Sequence, residues 1–292
     1  MGKKMWFGRN KLRAERHAGQ REGQRARQPR PVLRAGQPGQ ALPTVQAQLA
    51  WLAVLLLAWE GVSRLGLVNP LIVPPLSAVL RRLATGLWGG TLFLQWLQSV
   101  SLVIAGLLVG SLIGLALATA DYFLPRIRPA ITLLNSVLHP LPGVAILPVV
   151  LSIAGLGLPA VSIVILHAIV WSAYLSFIAG FRSIAPELLD IARNLGAGRS
   201  QILYHVLLPS IGPQLAAGLR IGWSRGWRAL ISAEMIFSAI GSLGGLGWYL
   251  FERRSFMDIT GVYAGIVLMI LTGFLIESVV FRHWLPGQAG TD

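Results

Sequence analysis

Four ionisable side chains stand in one stretch that is otherwise apolar enough to cross a bilayer. Arg220, Arg225, Arg228 and Glu234 all fall within residues 211–239. A charge at that depth costs about 2.5–3.5 kcal/mol or more unless a partner, water or a ligand takes it up. On a helix Arg220, Ser224 and Arg228 share one face at i, i+4 and i+8, whereas Glu234, six residues after Arg228, points elsewhere. The planar guanidinium fork binds oxyanions, so a face bearing Arg220 and Arg228 can offer a polar step to a small anion. Equally, these arginines can pair with Glu60, Glu234 or Glu277, or snorkel to an interface. His139 and His167 stand in two further apolar stretches. Each can line a path or hydrogen-bond to a carbonyl freed by Pro140 and Pro142.

Catalytic chemistry finds little support. There is no cysteine, which excludes disulfides, thiolate metal sites and cysteine nucleophiles. The lysines are Lys3, Lys4 and Lys11, so the apolar body has neither a P-loop lysine nor a Schiff-base lysine. No His-Glu-x-x-His, paired-carboxylate or Ser/His/Asp pattern occurs, so neither a catalytic site, a metal site nor a cofactor is expected.

The elements that carry these residues are membrane helices. Of the 292 residues 54% are hydrophobic and only 12% charged, against about a quarter charged in an ordinary soluble domain. The net charge of +14 sits mostly at one end: residues 1–40 hold 11 Lys/Arg and two acids. Residues 1–47, rich in Arg, Gln, Gly and Pro, read as a disordered basic tail with no aromatic platform for nucleic acid. Six stretches are each long enough for the roughly 20 residues of a crossing: 49–68, 92–120, 129–154, 158–180, 211–239 and 261–284. A short tail, 287–292, follows. Six crossings put both termini on one side. With the basic tail inside, 17 Lys/Arg are cytoplasmic against five outside, which favours cytoplasmic termini.

Local features refine these spans. Glu60 and Arg64, spaced i, i+4, can pair within the first. Leu76–Trp88 reads as a short amphipathic surface helix with Arg81 and Arg82 on its polar side. Gly106, Gly110 and Gly114, and again Gly218, Gly222 and Gly226, form ladders that admit a neighbouring helix closely. His139-Pro140-Leu141-Pro142 with Pro148 must bend or unwind the third span, and in lipid such backbone survives only when buried or lining a cavity.

The longest polar interruption is 181–210. Pro186 and Glu187 suit the first turn of a helix ending at Gly196, and a second short helix, Arg199 to Leu207, is predicted to stop before Pro209. The spacing Asp190-Ile191-Ala192, three residues, Gly196, nine residues, Val206, one residue, Leu208-Pro209 resembles the cytoplasmic loop of binding-protein-dependent ABC importer permeases. Their pattern is Glu-Ala-Ala, three residues, Gly, nine residues, Ile, one residue, Leu-Pro. Asp190, Ile191 and Val206 are mild departures. Residues 138–148, Gly218–Trp223, Trp227–Met235 and Gly245–Leu250 resemble the nitrate/sulfonate/taurine-type branch, and the likeness covers about residues 50–284. The basic tail lies outside it, as an individual extension or because the true start is downstream.

The resemblance implies an all-α integral membrane protein with six transmembrane helices of the ABC importer permease type and a cytoplasmic coupling helix. It implies an inner-membrane permease subunit, without catalysis of its own, that moves a small solute, an oxyanion such as nitrate, a sulfonate or taurine. Its implied partners are a separate ABC ATPase, a second and identical permease subunit, and an extracytoplasmic binding protein. The ATPase-coupling residues carried over are Pro186, Glu187, Asp190, Ala192, Gly196, Leu208 and Pro209, with Gly196 making a turn that a side chain would obstruct. Arg220, Arg228, Glu234, His139 and His167 are the candidate translocation path. Arg225 stands where an apolar residue is expected in that family. The rival reading is an ion-coupled carrier or channel without an ATPase, which leaves the amphipathic loop without a purpose.

Overall fold

The computed structural model describes residues 45–237 and 244–281, so nearly all of the expected basic tail and the whole of 287–292 lie outside the described residues. These form two compact units divided at Leu55/Leu56. The division falls within the first helix, α1 (Val45–Arg64), which starts four residues before the expected Leu49. The unit from Leu56 on holds every other element. Among the described residues the regular structure is entirely helical.

Beyond α1, the chain forms α2 (Leu76–Gly89), α3 (Leu92–Phe123), α4 (Arg128–Leu138), α5 (Leu147–Ala154) and α6 (Leu158–Ser183). Then come α7 (Pro186–Asn194), α8 (Arg199–Ser210), α9 (Gly212–Phe237), α10 (Leu246–Ser255) and α11 (Ile259–Leu275), the last continued by π-helical Ile276–Phe281. Among the described residues three helices, α3, α6 and the one from Ile259, are long and apolar enough to cross a membrane, and α8 with α9 makes a fourth if that bent pair is one span.

The stretch 129–154 is not one helix. Pro140 and Pro142 lack the donors a helix needs there, and the chain runs through turns from His139 to Ile146 before α5 begins around Pro148.

The glycine ladders explain the centre. α6 is the most buried of the apolar helices, flanked by α3 and α9. A Cβ at Gly110 would lie 2.9 Å from Ile169 Cγ2, one at Gly114 2.8 Å from Ala173 Cβ, and one at Gly226 2.8 Å from Ile169 Cδ1. Both ladders therefore face α6, where bare backbone lets three helices approach closely. Residue numbers rise together along α3 and α6, so these run parallel, while α9 runs antiparallel to both. Many side chains on the outer faces, including Leu108, Leu112, Ile153, Leu156, Ile270 and Phe274, are exposed and apolar, as lipid contact requires.

At one end of the bundle, Glu60 accepts from Arg64 Nε at 2.6 Å and from the Ser77 backbone N–H at 3.0 Å, which caps the start of α2. Val79 and Leu83 of α2 are buried, and Arg82 reaches Asp258 at 2.7 Å. α2 is thus pinned to the turn between α10 and α11.

Candidate functional site

The polar loop 184–211 folds against the far ends of α3 and α6. α7 starts with Pro186 and Glu187 in its first turn, where a missing donor costs nothing and the acid meets the positive dipole end. It ends in paired backbone bonds: Gly196 N–H donates to Arg193 O at 2.9 Å and Ala197 N–H to Ala192 O at 3.0 Å. This closure needs a left-handed residue at Gly196, whose φ is +80°. A Cβ there would meet nothing within 4 Å, so the requirement comes from backbone conformation and not, as expected, from lack of space.

The second loop helix also differs from expectation. It does not stop before Pro209 but continues through Ser210, with a π-helical stretch Ile202–Leu207 and Leu208 N–H bonded to Leu203 O. The wider hydrogen-bond register takes up the missing donor of Pro209, and Ser210 Oγ donates to the Val206 carbonyl at 2.6 Å. At Ile211, which is fully buried, the chain bends by 73° into α9.

Leu189, Ile202 and Leu207 point inward to a buried cluster with Phe177 and Phe181, and Ala192, Ala197, Val206 and Leu208 pack on its edge. Of the loop spacing, Ala192, Val206 and Leu208 therefore face the bundle, whereas Ile191 does not. The opposite face of α7 leaves Leu188, Ile191 and Leu195 exposed, beside Glu187 and an Asp190–Arg193 pair at 3.1 Å.

Sequence reasoning passed over Asp121. It is fully buried near the end of α3, accepts from Tyr174 Oη at 2.7 Å and Arg182 Nη2 at 2.9 Å, and lies 3.2 Å from Arg128 Nε. One carboxylate thus ties α3, α4 and α6 together just before the loop leaves α6. An acid closing a long apolar run was its one signal.

The intramembrane candidates separate into three groups. Arg220 pairs with Glu277 at 2.6 Å, one of the alternatives open from the sequence. Glu234 is only 1% exposed: Ser99 Oγ donates to its carboxylate at 2.8 Å, as does the Gly247 N–H, while Ser99 Oγ accepts from the Leu246 N–H at 2.8 Å. A Cβ at Gly245 would collide with that carboxylate, and one at Gly247 would lie 2.6 Å from Glu234 Cβ. The two glycines are the shape of this contact, which fastens α10 to α3 and α9. The remaining three candidates come together with Arg225. His139, His167, Arg225 and Arg228 line one recess of about 260 Å³, walled by the Pro140–Val144 turn. Arg225 Nη1 donates to Ser172 Oγ at 3.1 Å. Arg228 has no hydrogen bond or ion pair among the described residues.

Among the described residues no cluster of His, Asp and Glu is placed to hold a metal ion. The arrangement offers anion recognition and mechanical attachment.

Comparison with known proteins agrees with this geometry. A family model described as "Binding-protein-dependent transport system inner membrane component" matches residues 106–283. The chain is 32% identical over 238 residues to the taurine transport system permease protein TauC of Escherichia coli (strain K12), covering 80% of this chain and 85% of that one. It is 27% identical to the nitrate import permease protein NrtB of a Synechocystis species, covering 66% and 72%. With the bicarbonate transport system permease protein CmpB of the same genus it shares 25% identity over 80% and 85%. In fold it is similar to a chain of the inward-facing MetNI methionine ABC transporter, at TM-score 0.55 and 18% identity, covering 70% of this chain and 97% of that chain.

Proposed function

The chain belongs to the family of binding-protein-dependent transport system inner membrane components, and from that premise we propose that it is the permease subunit of an ATP-driven importer for a small oxyanion. Taurine, nitrate and bicarbonate, the solutes named for its relatives, all present a compact oxyanion, and the two arginines in one recess suit that chemistry. An extracytoplasmic binding protein delivers the solute, and a second, identical permease completes the path. The termini and the loop 184–211 are cytoplasmic, a reading supported by Arg126 and Arg128 after the second apolar stretch and Arg182, Arg193 and Arg199 after the fourth.

In this reading α7 docks in a cleft of a separate ATPase through Leu188, Ile191 and Leu195, with Glu187 and Asp190 at the rim. Pro186, Ala192, Gly196, Leu208 and Pro209 hold the helix in place rather than touch the partner. The loop is seated on the Phe177/Phe181 cluster and braced by Asp121, so a displacement of α7 is passed to α3 and α6 as a rigid body. ATP binding draws the two ATPases together and opens the path outward, and hydrolysis returns it.

The observation that carries the proposal is the exposed apolar stripe on a helix whose other face is anchored by the buried Leu189, with Ala192 at the edge of the same cluster. Ile191→Asp is expected to leave the detergent-purified chain folded and to abolish both co-purification of the neighbouring ATPase and ATP-dependent uptake. Uptake of taurine or nitrate that persists without any ATPase would instead establish the ion-coupled carrier.

A further inference from the structure

We infer that the recess between the broken third span and α9 is an intramembrane station for one oxyanionic head group, gripped by Arg225 and Arg228 and faced by His139 and His167. This rests on the oxyanion-importer reading and deepens it by placing the anion within the bundle.

The charge inventory singles out the site. Arg64 is answered by Glu60, Arg128 and Arg182 by Asp121, and Arg220 by Glu277. Arg225 and Arg228 are the arginines of the apolar helices that have no carboxylate partner among the described residues. Glu277 does line a neighbouring recess that Arg228 also borders, but its carboxylate is engaged by Arg220. Two unpaired guanidinium groups one helical turn apart raise the potential of a single small space, which is costly unless an anion or water enters it.

Geometry then selects the ligand. The bond from Arg225 Nη1 to Ser172 fixes one edge of the guanidinium and leaves its remaining donors for a two-point grip on an oxyanion. Across the recess both ring nitrogens of His167 are buried without completing a hydrogen bond, though the Leu138 carbonyl lies within reach of the ring. A volume of about 260 Å³ lies below the roughly 300–1,000 Å³ of drug-sized pockets, so nitrate, hydrogencarbonate or a short sulfonate fits and a peptide does not. The wall opposite α9 is the proline-broken segment, which runs through turns between Leu138 and Leu147 instead of continuing as a helix. A station on a conduction route must also release, so affinity is weak by design.

The test uses the full chain with its ATPase, nucleotide-free, in detergent at constant ionic strength set with chloride. Methanesulfonate and its neutral isostere dimethyl sulfone are the probes, and thermal melting is the readout. The wild type is expected to show a saturable rise in Tm with methanesulfonate and none with dimethyl sulfone. Arg225→Gln and Arg228→Gln are each expected to weaken the apparent affinity about tenfold, about 1.4 kcal/mol, while Arg81→Gln leaves it unchanged. If a glutamine variant does not fold, Arg225→Lys and Arg228→Lys keep the charge, lose the fork and are expected to bind several-fold more weakly. An equal response to both probes, no saturable response at tens of millimolar, or full affinity in all the variants at both positions overturns the station. Anion uptake in proteoliposomes that hold the chain and its ATPase and are supplied with the binding protein separates the two proposals. Binding without ATP-dependent uptake refutes the importer and leaves the station, whereas uptake undiminished in both variants refutes the station and leaves the importer.

Discussion

Glu234 shows what a charge in a membrane helix does when it is fully spoken for. Its carboxylate accepts from Ser99 and from the Gly247 N–H, and the glycines at 245 and 247 leave it room. Gly247→Ala would force a methyl group to within 2.5 Å of the Ile231 carbonyl and 2.6 Å of Glu234 Cβ. A loss of about 1–3 kcal/mol in stability is therefore expected, read as a lower Tm of the purified chain, with no change in ATPase docking. Glu234 was visible in the sequence as an unpaired acid, but its function was not, because Ser99 is 135 residues away and the periodicity of one helix cannot name a partner on another. The same holds for Asp121 and Arg182, 61 residues apart. By contrast Arg225, Arg228, His139 and His167 were each legible as polar residues in apolar runs. What the fold adds is that they face one space.

At the scale of elements, the breaks were more legible than the bends. Prolines 140, 142 and 148 mark the interruption of the third span, and Pro186 and Gly196 bracket α7 to within a residue or two. The π-helical register of 202–207 and the 73° turn at Ile211 were not legible, because both arise from which carbonyl a given N–H chooses under packing. The clamp between α2 and the start of α11 allows a direct check. Burial pushes the Asp258 carboxyl up, but this is outweighed by the Arg82 hydrogen bond, the Gly261 N–H and the charges of Arg82 and Arg253, so it sits below the usual carboxylate range. A depressed folded value means the stabilisation is complete above the unfolded value of about 3.9 and is lost as pH falls through the folded one. Asp258→Asn preserves the helix cap and removes the charge. The difference in Tm between wild type and variant is expected to be constant from about pH 7 to 5 and to shrink below about pH 4.

For the whole molecule, composition was enough to predict an all-helical membrane body, and loop spacing was enough to suggest the family to which residues 106–283 belong. The arrangement of the helices was not, because glycine ladders announce close packing without naming the partner, and both turn out to close on α6. That closure has a consequence for solvent access. Backbone amides of α3, α6 and α9 are held in continuous helical ladders, whereas residues 139–146 lack one and border an open recess. Deuterium exchange on the detergent-purified chain is expected to label 139–146 orders of magnitude faster than residues 100–118 or 160–180. Uniform protection across all three segments would show that segment to be dry. Fast labelling there would trace a wetted seam through a body otherwise silent to water.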